Sequence, residues 1–307
     1  MHITICFPGP KPLGWLAGFQ AALPNVEFSI WSQGETPMAD YAVVWSPPQA
    51  LIDEQVQLKA LFNIGAGVDG ILKLSLPPDL KVVRLDDAGM SVQMAEFVCH
   101  AVIRHFREFD QVEAAMQRGE WAFRKPLLRR DFPVGVMGLG VLGTRVAKAL
   151  QSFEFPVLGW SRSAKTIDGV HCHHGDEGFK DFLAGTRVLV NLLPLTAETE
   201  NILNRETLAQ LMPGGYVINV ARGAHLVDED LLALLDSGHL AGAALDVFRE
   251  EPLPKEHAFW AHPKLQLTPH TSARTLRDET IEQIASKIRA LESGQAIAGV
   301  VDATRGY

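Results

Sequence analysis

The chain has 307 residues, 47% hydrophobic and 21% charged, which is enough for two globular domains with ample cores. Its formal net charge of -8 argues against binding to nucleic acid or to an anionic membrane surface, because both need a basic face. Its three cysteines, Cys6, Cys99 and Cys172, form no CxxC pair, which predicts free thiols and a cytoplasmic location. No apolar run approaches the roughly 20 residues that span a bilayer, so no membrane partner is expected.

Strand-like and helix-like segments alternate from the N-terminus, which indicates a parallel sheet with helices on both faces. Strands are predicted at Ile3–Phe7, Val26–Trp31, Tyr41–Trp45, just before the turn Gly65–Gly70, and at Val82–Leu85. Helices are predicted at Trp15–Leu23, near Asp53–Ala60 and, as one long helix, over roughly Val92–Gln117. A basic, irregular segment, Trp121–Arg130, comes next.

A second α/β run begins after Phe132. Its predicted strands are Val134–Met137, Pro156–Trp160, Arg187–Leu193, Tyr216–Val220, Ala241–Val247 and Leu265–Thr268. The helices between them are predicted at Val141–Ser152, Glu177–Leu183, Arg205–Leu211 and Glu229–Ser237. After His270 a final helix places Ile281, Ile284, Ile288 and Leu291 on one face. The chain is therefore predicted to contain two doubly wound units.

A glycine-rich turn follows the first predicted strand of the second unit and opens a helix. It fits the pattern G-x-G-x-x-G, formed by Gly138, Gly140 and Gly143 with Val141 and Leu142 between the last two glycines. The first glycine permits a tight turn, the second lets the backbone approach a pyrophosphate, and the third lets helix and strand pack closely. This context predicts a dinucleotide-binding site and makes a purely structural turn the less favoured alternative.

The end of the next predicted strand carries cations where NAD-binding proteins place an acidic residue for the ribose hydroxyls. This chain has no acid there and reads Ser161, Arg162, Ser163 and, after one alanine, Lys165. Arg162 can form a bidentate hydrogen bond with a 2′-phosphate, and the other three side chains can donate further hydrogen bonds. We therefore predict a preference for NADP(H). A basic loop that accepts both cofactors is the alternative, so use of NAD(H) stays open.

Three charged side chains follow the ends of successive predicted strands: Arg222, Glu251 and His270. In open α/β sheets, ligands bind beyond the carboxyl ends of the strands, so these side chains should converge. A histidine can give a proton to a carbonyl oxygen, a carboxylate can orient that histidine, and an arginine can grip a substrate carboxylate. We interpret His270 as the general acid, Glu251 as its orienting partner and Arg222 as the substrate clamp. Asp246 is predicted to accept a hydrogen bond from a nicotinamide carboxamide.

These motifs, together with Asn191–Thr199, Val227–Leu232 and Gly65–Gly70, resemble the D-isomer-specific 2-hydroxyacid dehydrogenase family over nearly the whole chain. Within that family the chain is most similar to the bacterial glyoxylate/hydroxypyruvate reductase A type. The segments that carry this finer resemblance are Tyr41–Pro48, Gly65–Asp69, Trp160–Arg162 and Val301–Tyr307.

The resemblance implies a Rossmann-type cofactor domain, residues 99–274, inserted in a flavodoxin-like substrate domain formed by residues 1–98 and 275–307. It implies a homodimer built through the cofactor domain and the basic segment before it, with Trp121 reaching the partner's site. It places Leu193, Pro194 and Ala221 beside the cofactor. It also places the N–H groups of Ala66 and Gly67 at the substrate carboxylate opposite Arg222, in a pocket walled by Trp45, Met90 and Met94.

The expected function is therefore reduction of glyoxylate or hydroxypyruvate to a 2-hydroxy acid with NADPH. A related enzyme for another 2-keto acid, or a nucleotide-sensing binding protein of the same fold, is the alternative. The segment His171-Cys172-His173-His174 is expected to lie in the connection after the basic loop. No metal site is expected there, because adjacent residues would face opposite sides even if the segment were a strand. His225 and His239 are expected to be exposed structural residues.

Overall fold

The computed structural model describes residues 1–302 and Gly306, and these form two compact units. One unit combines Met1–Met90 with the described residues of Arg274–Tyr307, and the other is Ser91–Ala273. The second unit is thus inserted in the sequence of the first. The predicted domain ranges remain predictions. Part of the C-terminal segment that carried the family resemblance, Ala303–Arg305 and Tyr307, lies outside the described residues.

The regular elements are numbered here along the described chain. The strands are β1 (His2–Cys6), β2 (Glu27–Ile30), β3 (Tyr41–Val44), β4 (Ala60–Asn63), β5 (Lys81–Val83), β6 (Val134–Met137), β7 (Val157–Ser161), β8 (His171–His174), β9 (Val188–Asn191), β10 (Gly215–Asn219), β11 (Leu240–Leu245) and β12 (Leu265–Leu267). The helices are α1 (Leu13–Ala22), α2 (Gln49–Glu54), α3 (Met90–Phe106), α4 (Phe109–Gln117), α5 (Val141–Ser152), α6 (Gly175–Ala184), α7 (Arg205–Ala209), α8 (Asp228–Asp236) and α9 (Arg277–Glu292).

The first unit contains a five-stranded parallel sheet in the order β2-β1-β3-β4-β5. This is the strand order of the flavodoxin-like doubly wound fold. Helix α9 packs against α1, where Gly18 leaves room for the side chain of Ile281, and a Cβ there would lie 2.4 Å from Ile281 Cδ1. Ile281, Ile284 and Ile288 are buried as their spacing predicts, and Leu291 is half-buried.

The second unit contains a seven-stranded parallel sheet in the order β12-β11-β10-β9-β6-β7-β8. The order reverses between β6 and β9, which is the Rossmann arrangement with one strand added at the edge. Its core is continuous on both faces of the sheet, and the strands β6, β9 and β10 are buried along their whole length. The predicted fold class is therefore confirmed.

Three predictions about individual elements were wrong. The helix predicted near Asp53–Ala60 ends at Glu54, because the buried side chain of Gln55 accepts a hydrogen bond from the N–H of Ala39 (2.9 Å). The single helix predicted over Val92–Gln117 is two helices, because Glu108 adopts a left-handed conformation (φ 52°). The segment His171–His174, predicted to be a connection, is the edge strand β8.

Two features are absent from the described residues. None of their helices combines the length and the apolar character needed to cross a membrane. No three of their His, Cys, Asp or Glu side chains are grouped so that they could hold a metal ion. The rings of His171 and His173 lie on one side of β8 with centroids 4.6 Å apart, but no third such ligand joins them in this part of the chain.

A half-buried histidine links the helical layer of the second unit to its sheet. The ring of His105, in α3, stacks on the ring of Tyr216, in β10, with centroids 4.1 Å apart. Burial lowers the pKa of His105 from 6.5 to about 4, and this outweighs the attraction of Asp110. Between those two values the unfolded chain binds a proton that the folded chain does not, so the stability contributed by this site is lost as the pH falls from 6.5 to 4.

We expect His105→Phe to flatten the acid limb of the stability profile, because phenylalanine retains the stacking but cannot take up a proton. Between about pH 7.5 and about pH 5 the wild type should lose about 2 kcal/mol more unfolding free energy than the variant. Urea unfolding at both pH values measures this difference. Parallel pH profiles for the two proteins would contradict it, whatever their absolute stabilities.

Candidate active site

Buried polar residues stand at the carboxyl ends of three neighbouring strands in the second unit. Asn191 ends β9, Asn219 ends β10, and Asp246 directly follows β11; all three are fully buried. Nδ2 of Asn191 donates to Oδ1 of Asn219 (3.1 Å), which joins two of these strand ends through their side chains. Because the strands are parallel, the turns that follow them lie along one edge of the sheet, where ligands bind in this class of fold.

Asp246 holds the turn that carries His270. Its carboxylate accepts hydrogen bonds from Thr268 Oγ1 (2.6 Å) and from the N–H groups of Thr271 and Ser272 (2.8 Å each). Its carbonyl oxygen accepts the N–H of His270 at 2.8 Å. The structure thus gives Asp246 a role in shaping this turn, and the predicted hydrogen bond with a carboxamide remains a prediction.

His270 and Glu251 form a hydrogen-bonded pair. His270 Nδ1 lies 2.8 Å from Glu251 Oε2, and Glu251 Oε1 accepts the N–H of Phe248 at 2.9 Å. Both carboxylate oxygens are therefore engaged, and the imidazole has its Nδ1 fixed. The side chain of His270 is 46% exposed, so Nε2 is the ring nitrogen that can serve an approaching ligand.

Arg222 lies in the turn after β10, next to the loop that carries Glu251. Asn219 Nδ2 donates to the carbonyl oxygen of Arg222 (3.0 Å), and Arg222 Nη1 donates to the carbonyl oxygen of Ala221 (2.8 Å). A Cβ on Gly223 would lie 1.8 Å from the carbonyl carbon of Phe248, so the two loops are in backbone contact. Sequence order and sheet topology thus bring the segments of all three predicted catalytic residues to one edge.

The glycine turn has the geometry that a pyrophosphate needs. Gly138 has φ +102°, and a Cβ on Gly143 would lie 1.8 Å from the carbonyl oxygen of Gly138, so neither position tolerates a side chain. Gly140, by contrast, is exposed with open space around it, and it precedes α5 without a side-chain cap. The first N–H groups of α5, at Val141 and Leu142, therefore meet open space that suits a phosphate.

The basic loop after β7 lies against this glycine turn. Lys165 Nζ donates to the carbonyl oxygen of Leu139 at 2.7 Å, and Ser161 Oγ donates to the carbonyl oxygen of Ser163 at 2.9 Å. Ser161 is buried, whereas Arg162, Ser163 and Lys165 are exposed. A hydrogen bond from Thr196 and the nearby Arg162 guanidinium hold the pKa of Glu198 below its usual value. The loop is thus positive and solvent-facing beside the glycine turn.

Three residues predicted to lie beside the cofactor follow the two joined strand ends. Asn191 Oδ1 accepts the N–H of Leu193 (3.2 Å), and Asn219 Oδ1 accepts the N–H of Ala221 (3.3 Å). Leu193 and Ala221 are buried at 8% exposure each, and Pro194 is half-buried. These turns are shaped by the same asparagines that join β9 to β10.

In the first unit, the predicted substrate-binding turn follows β4. Asn63, which is buried, donates its side-chain amide to the carbonyl oxygens of Gly65 (3.1 Å) and Gly67 (2.8 Å). The ring of Trp45 covers Gly65 so closely that a Cβ there would lie 2.5 Å from Trp45 Cζ3. Trp45 remains 42% exposed, and Ala66 and Gly67 are half-buried. The structure therefore brings Trp45 and the Gly65–Gly67 turn together.

Sequence reasoning missed Asn63, Asn191 and Asn219, and it misjudged two histidines. Each of these asparagines is the last residue of an apolar strand, and an amide in that position is the signal that could have identified them. His225 and His239 were both predicted to be exposed, but His225 is fully buried and His239 is half-buried.

The comparisons with known proteins agree with this geometry. A family model described as D-isomer specific 2-hydroxyacid dehydrogenase, NAD binding domain, matches residues 99–272. A glyoxylate/hydroxypyruvate reductase A from Serratia proteamaculans (strain 568) is 47% identical over 100% of both chains. The chain belongs to the D-isomer specific 2-hydroxyacid dehydrogenase family. The predicted resemblance to this family is therefore confirmed.

Two solved structures of family members are close to the whole chain. A D-isomer specific 2-hydroxyacid dehydrogenase from Xanthobacter autotrophicus Py2, in complex with NADPH and MES, has a TM-score of 0.93 and 39% identity and covers 99% of each chain. An NADPH-dependent glyoxylate/hydroxypyruvate reductase from Sinorhizobium meliloti, in complex with NADP and sulfate, has a TM-score of 0.93 and 35% identity, covering 100% of this chain and 99% of its own.

We expect His270→Asn to lower kcat for the reduction of a 2-keto acid by about 10²- to 10⁴-fold, because asparagine cannot donate a proton to the carbonyl oxygen. Glu251→Gln should retain a hydrogen bond to the ring but lose the charge, and so give an intermediate rate. Binding of 2′,5′-ADP, which reports the other end of the cofactor site, should be unchanged in both variants. Steady-state kinetics and titration calorimetry measure these effects. Full turnover in His270→Asn would remove this residue from the role of general acid.

Proposed function

We propose that this chain is an NADP(H)-preferring reductase of small 2-keto acids, with glyoxylate and hydroxypyruvate as its substrates. The observation that carries the proposal is the His270–Glu251 pair (2.8 Å between Nδ1 and Oε2) at the same sheet edge as Arg222 and the glycine turn. The names of the relatives support the substrate class. The intact pair favours an enzyme over a binding protein of the same fold.

The nicotinamide, when bound, supplies the hydride; the chain's own residues supply the proton and the orientation. With Nδ1 held by Glu251, the imidazolium of His270 presents Nε2 to the substrate carbonyl oxygen. The Nε2–H bond breaks as the new O–H bond forms, so the carbonyl becomes a hydroxyl. The neutral ring keeps its Nδ1 proton in the hydrogen bond to Glu251.

Orientation of the keto acid is proposed to come from charged and backbone groups. The Arg222 guanidinium binds the substrate carboxylate and polarises the ketone. The N–H groups of Ala66 and Gly67 bind the carboxylate, and Trp45 limits the length of the substrate side chain. The contact of Trp45 with Gly65 supports a small acyl group, because the ring leaves little room over this turn.

The cofactor preference is proposed to come from the basic loop. Arg162 is exposed beside the glycine turn, and Lys165 is anchored to the carbonyl oxygen of Leu139 (2.7 Å). A 2′-phosphate on the adenosine ribose would meet cations there. The free 2′-hydroxyl of NADH would find no carboxylate to accept its hydrogen bond, because residue 161 is a serine. Two relatives solved with NADPH or NADP support this assignment.

We expect the wild type to oxidise NADPH with glyoxylate or hydroxypyruvate much faster than NADH. Arg162→Ala should raise the KM for NADPH by about ten- to a hundredfold, since a charge-assisted hydrogen bond is lost, and should change the KM for NADH little. Lys180→Ala, which removes a cation of the same unit from α6, is the matched control. Absorbance loss at the NAD(P)H band measures the rates.

The outcomes of this assay are distinct. Equal losses for both cofactors in Arg162→Ala would overturn the role of Arg162 in binding the 2′-phosphate. If the wild type is active with NADH alone, the proposed reaction stands but the proposed preference for NADP(H) is wrong. No turnover with either cofactor and either keto acid would overturn the substrate assignment.

We also propose a homodimer that forms through the arm, which is the irregular segment Trp121–Arg130. Trp121 is 100% exposed and Phe123 84% exposed, and Met116, just before the arm, is 70% exposed. Large apolar side chains exposed together mark a protein–protein contact. The family resemblance makes a second copy of this chain the expected partner, with Trp121 at the partner's site.

Sedimentation should show the wild type as a dimer, and the double variant Trp121→Ser, Phe123→Ser should shift the equilibrium to the monomer. Trp260→Ser is the matched control, because Trp260 is 57% exposed in the same unit but outside the arm. A wild type that sediments as a monomer at all concentrations tested would refute the proposal. A double variant that remains as dimeric as the control would show that the arm is not the contact.

A cytoplasmic location is proposed as well. Cys6, Cys99 and Cys172 are all free, and burial raises the pKa of Cys6 and of Cys99 to about 11, which leaves their thiols protonated and inert. Free thiols suit a reducing compartment. Cell fractionation tests this, and recovery of the protein outside the cytoplasm would overturn it.

A further inference from the structure

His225 occupies a buried position between two turns of the candidate site. It ends the short 3₁₀ helix Gly223–His225, directly after Arg222, and its side chain is fully buried. A histidine that is only a surface residue of a helix end would be solvated. Here the imidazole is enclosed at the carboxyl edge of the sheet, so its contacts are fixed by the backbone around it.

The two ring nitrogens of His225 face carbonyl oxygens on different turns. Nδ1 lies 3.1 Å from the carbonyl oxygen of Arg222, and Nε2 lies 3.2 Å from the carbonyl oxygen of Pro194. Pro194 belongs to the turn after β9, and Arg222 to the turn after β10. One rigid ring therefore spans from the predicted substrate clamp to a turn predicted to lie beside the cofactor.

The segment around His225 is also tied to the loop that carries Glu251. Arg249 Nη2 donates to the carbonyl oxygen of Leu226 at 2.7 Å and to Oδ1 of Asn201 at 2.6 Å. The contact of Gly223 with Phe248 adds a backbone junction between the same two loops. A shift of the His225 segment would consequently move the surroundings of Arg222, Pro194 and Glu251 together.

We propose that His225 is a positioning residue that holds Arg222 and the Pro194 turn in register for the reaction. The proposal rests on the proposed function, since it concerns the alignment of the keto acid with the nicotinamide. Leucine would fill the space but could donate a hydrogen bond to neither carbonyl oxygen. Glutamine could still donate to one of the two carbonyl oxygens. Arg222 would keep the hydrogen bond from Asn219 in either variant, so its turn should loosen rather than unfold.

The test compares His225→Leu and His225→Gln with His239→Leu. His239 is the matched control because it is half-buried in the same unit but precedes β11, at the opposite edge of the sheet from the site. Glyoxylate kinetics with NADPH report alignment. Binding of oxalate to the NADPH-loaded enzyme reports Arg222 without turnover, because oxalate is a planar anion that resembles the keto acid. Binding of 2′,5′-ADP and thermal unfolding report the adenosine end and the fold.

We expect His225→Leu to lower kcat/KM for glyoxylate and to weaken oxalate binding by at least about tenfold, since small misplacements at a reacting centre are costly. His225→Gln should recover part of both, and 2′,5′-ADP binding should stay within about twofold, well below the cost of a lost hydrogen bond. Wild-type kinetics and oxalate binding in both variants would overturn the proposal. So would equal losses of oxalate and 2′,5′-ADP binding, which would indicate a merely structural residue.

Two contingencies keep the test decisive. If His225→Leu does not fold, His225→Gln decides by the same readouts, and its partial loss of oxalate binding with intact 2′,5′-ADP binding supports the proposal. If the wild type binds oxalate and NADPH but reduces neither keto acid, the proposed function fails. The role of His225 is then still decided by oxalate binding alone.

Discussion

The site depends on buried polar side chains that stand at the carboxyl ends of strands and bind the backbone of the turns beside them. A parallel strand that stops at a sheet edge leaves N–H and C=O groups that must find partners away from water. Asn191, Asn219 and Asp246 supply those partners at three successive strand ends. Each such bond, if lost, would leave a buried group unsatisfied at a cost of about 1–3 kcal/mol. The turns therefore have one favoured shape before any ligand binds.

This constraint explains how the His270–Glu251 pair can tolerate an unusual backbone conformation. His270 has φ 53°, a left-handed conformation that costs a non-glycine residue energy. The bonds that Asp246 makes to Thr268 and Ser272 on either side of His270 hold the residue there. Glu251 is fixed in turn by the N–H of Phe248. In the proposed mechanism, proton delivery from His270 would need little reorganisation, because the hydrogen bond to Glu251 already orients the imidazole.

Much of the fold could be predicted because its signals are local. The strand Val134–Met137 and the helix Val141–Ser152 have the bounds that apolar periodicity and the glycine turn predict. The errors arose where a distant or backbone interaction overrides propensity. Helix α2 ends before Gln55, whose side chain accepts a hydrogen bond from the N–H of Ala39. The left-handed conformation of Glu108 divides a segment whose sequence favours one continuous helix. The edge strand β8 gave no apolar signal, since its four residues are histidines and a cysteine.

In the site as well, the sequence indicates which residue types are present but not how they are arranged in space. Residue type and order pointed to Arg222, Glu251 and His270 as catalytic candidates, because few side chains can transfer a proton or bind a carboxylate. They could not show that His225 is buried, since that requires the turn after β9 to lie beside the turn after β10. The number of cations in the sequence likewise does not give the number of hydrogen bonds to a phosphate. Lys165 already donates one of its three ammonium hydrogens to the carbonyl oxygen of Leu139. That bond holds the basic loop against the glycine turn, so Lys165 shapes the proposed cofactor site as well as adding positive charge to it.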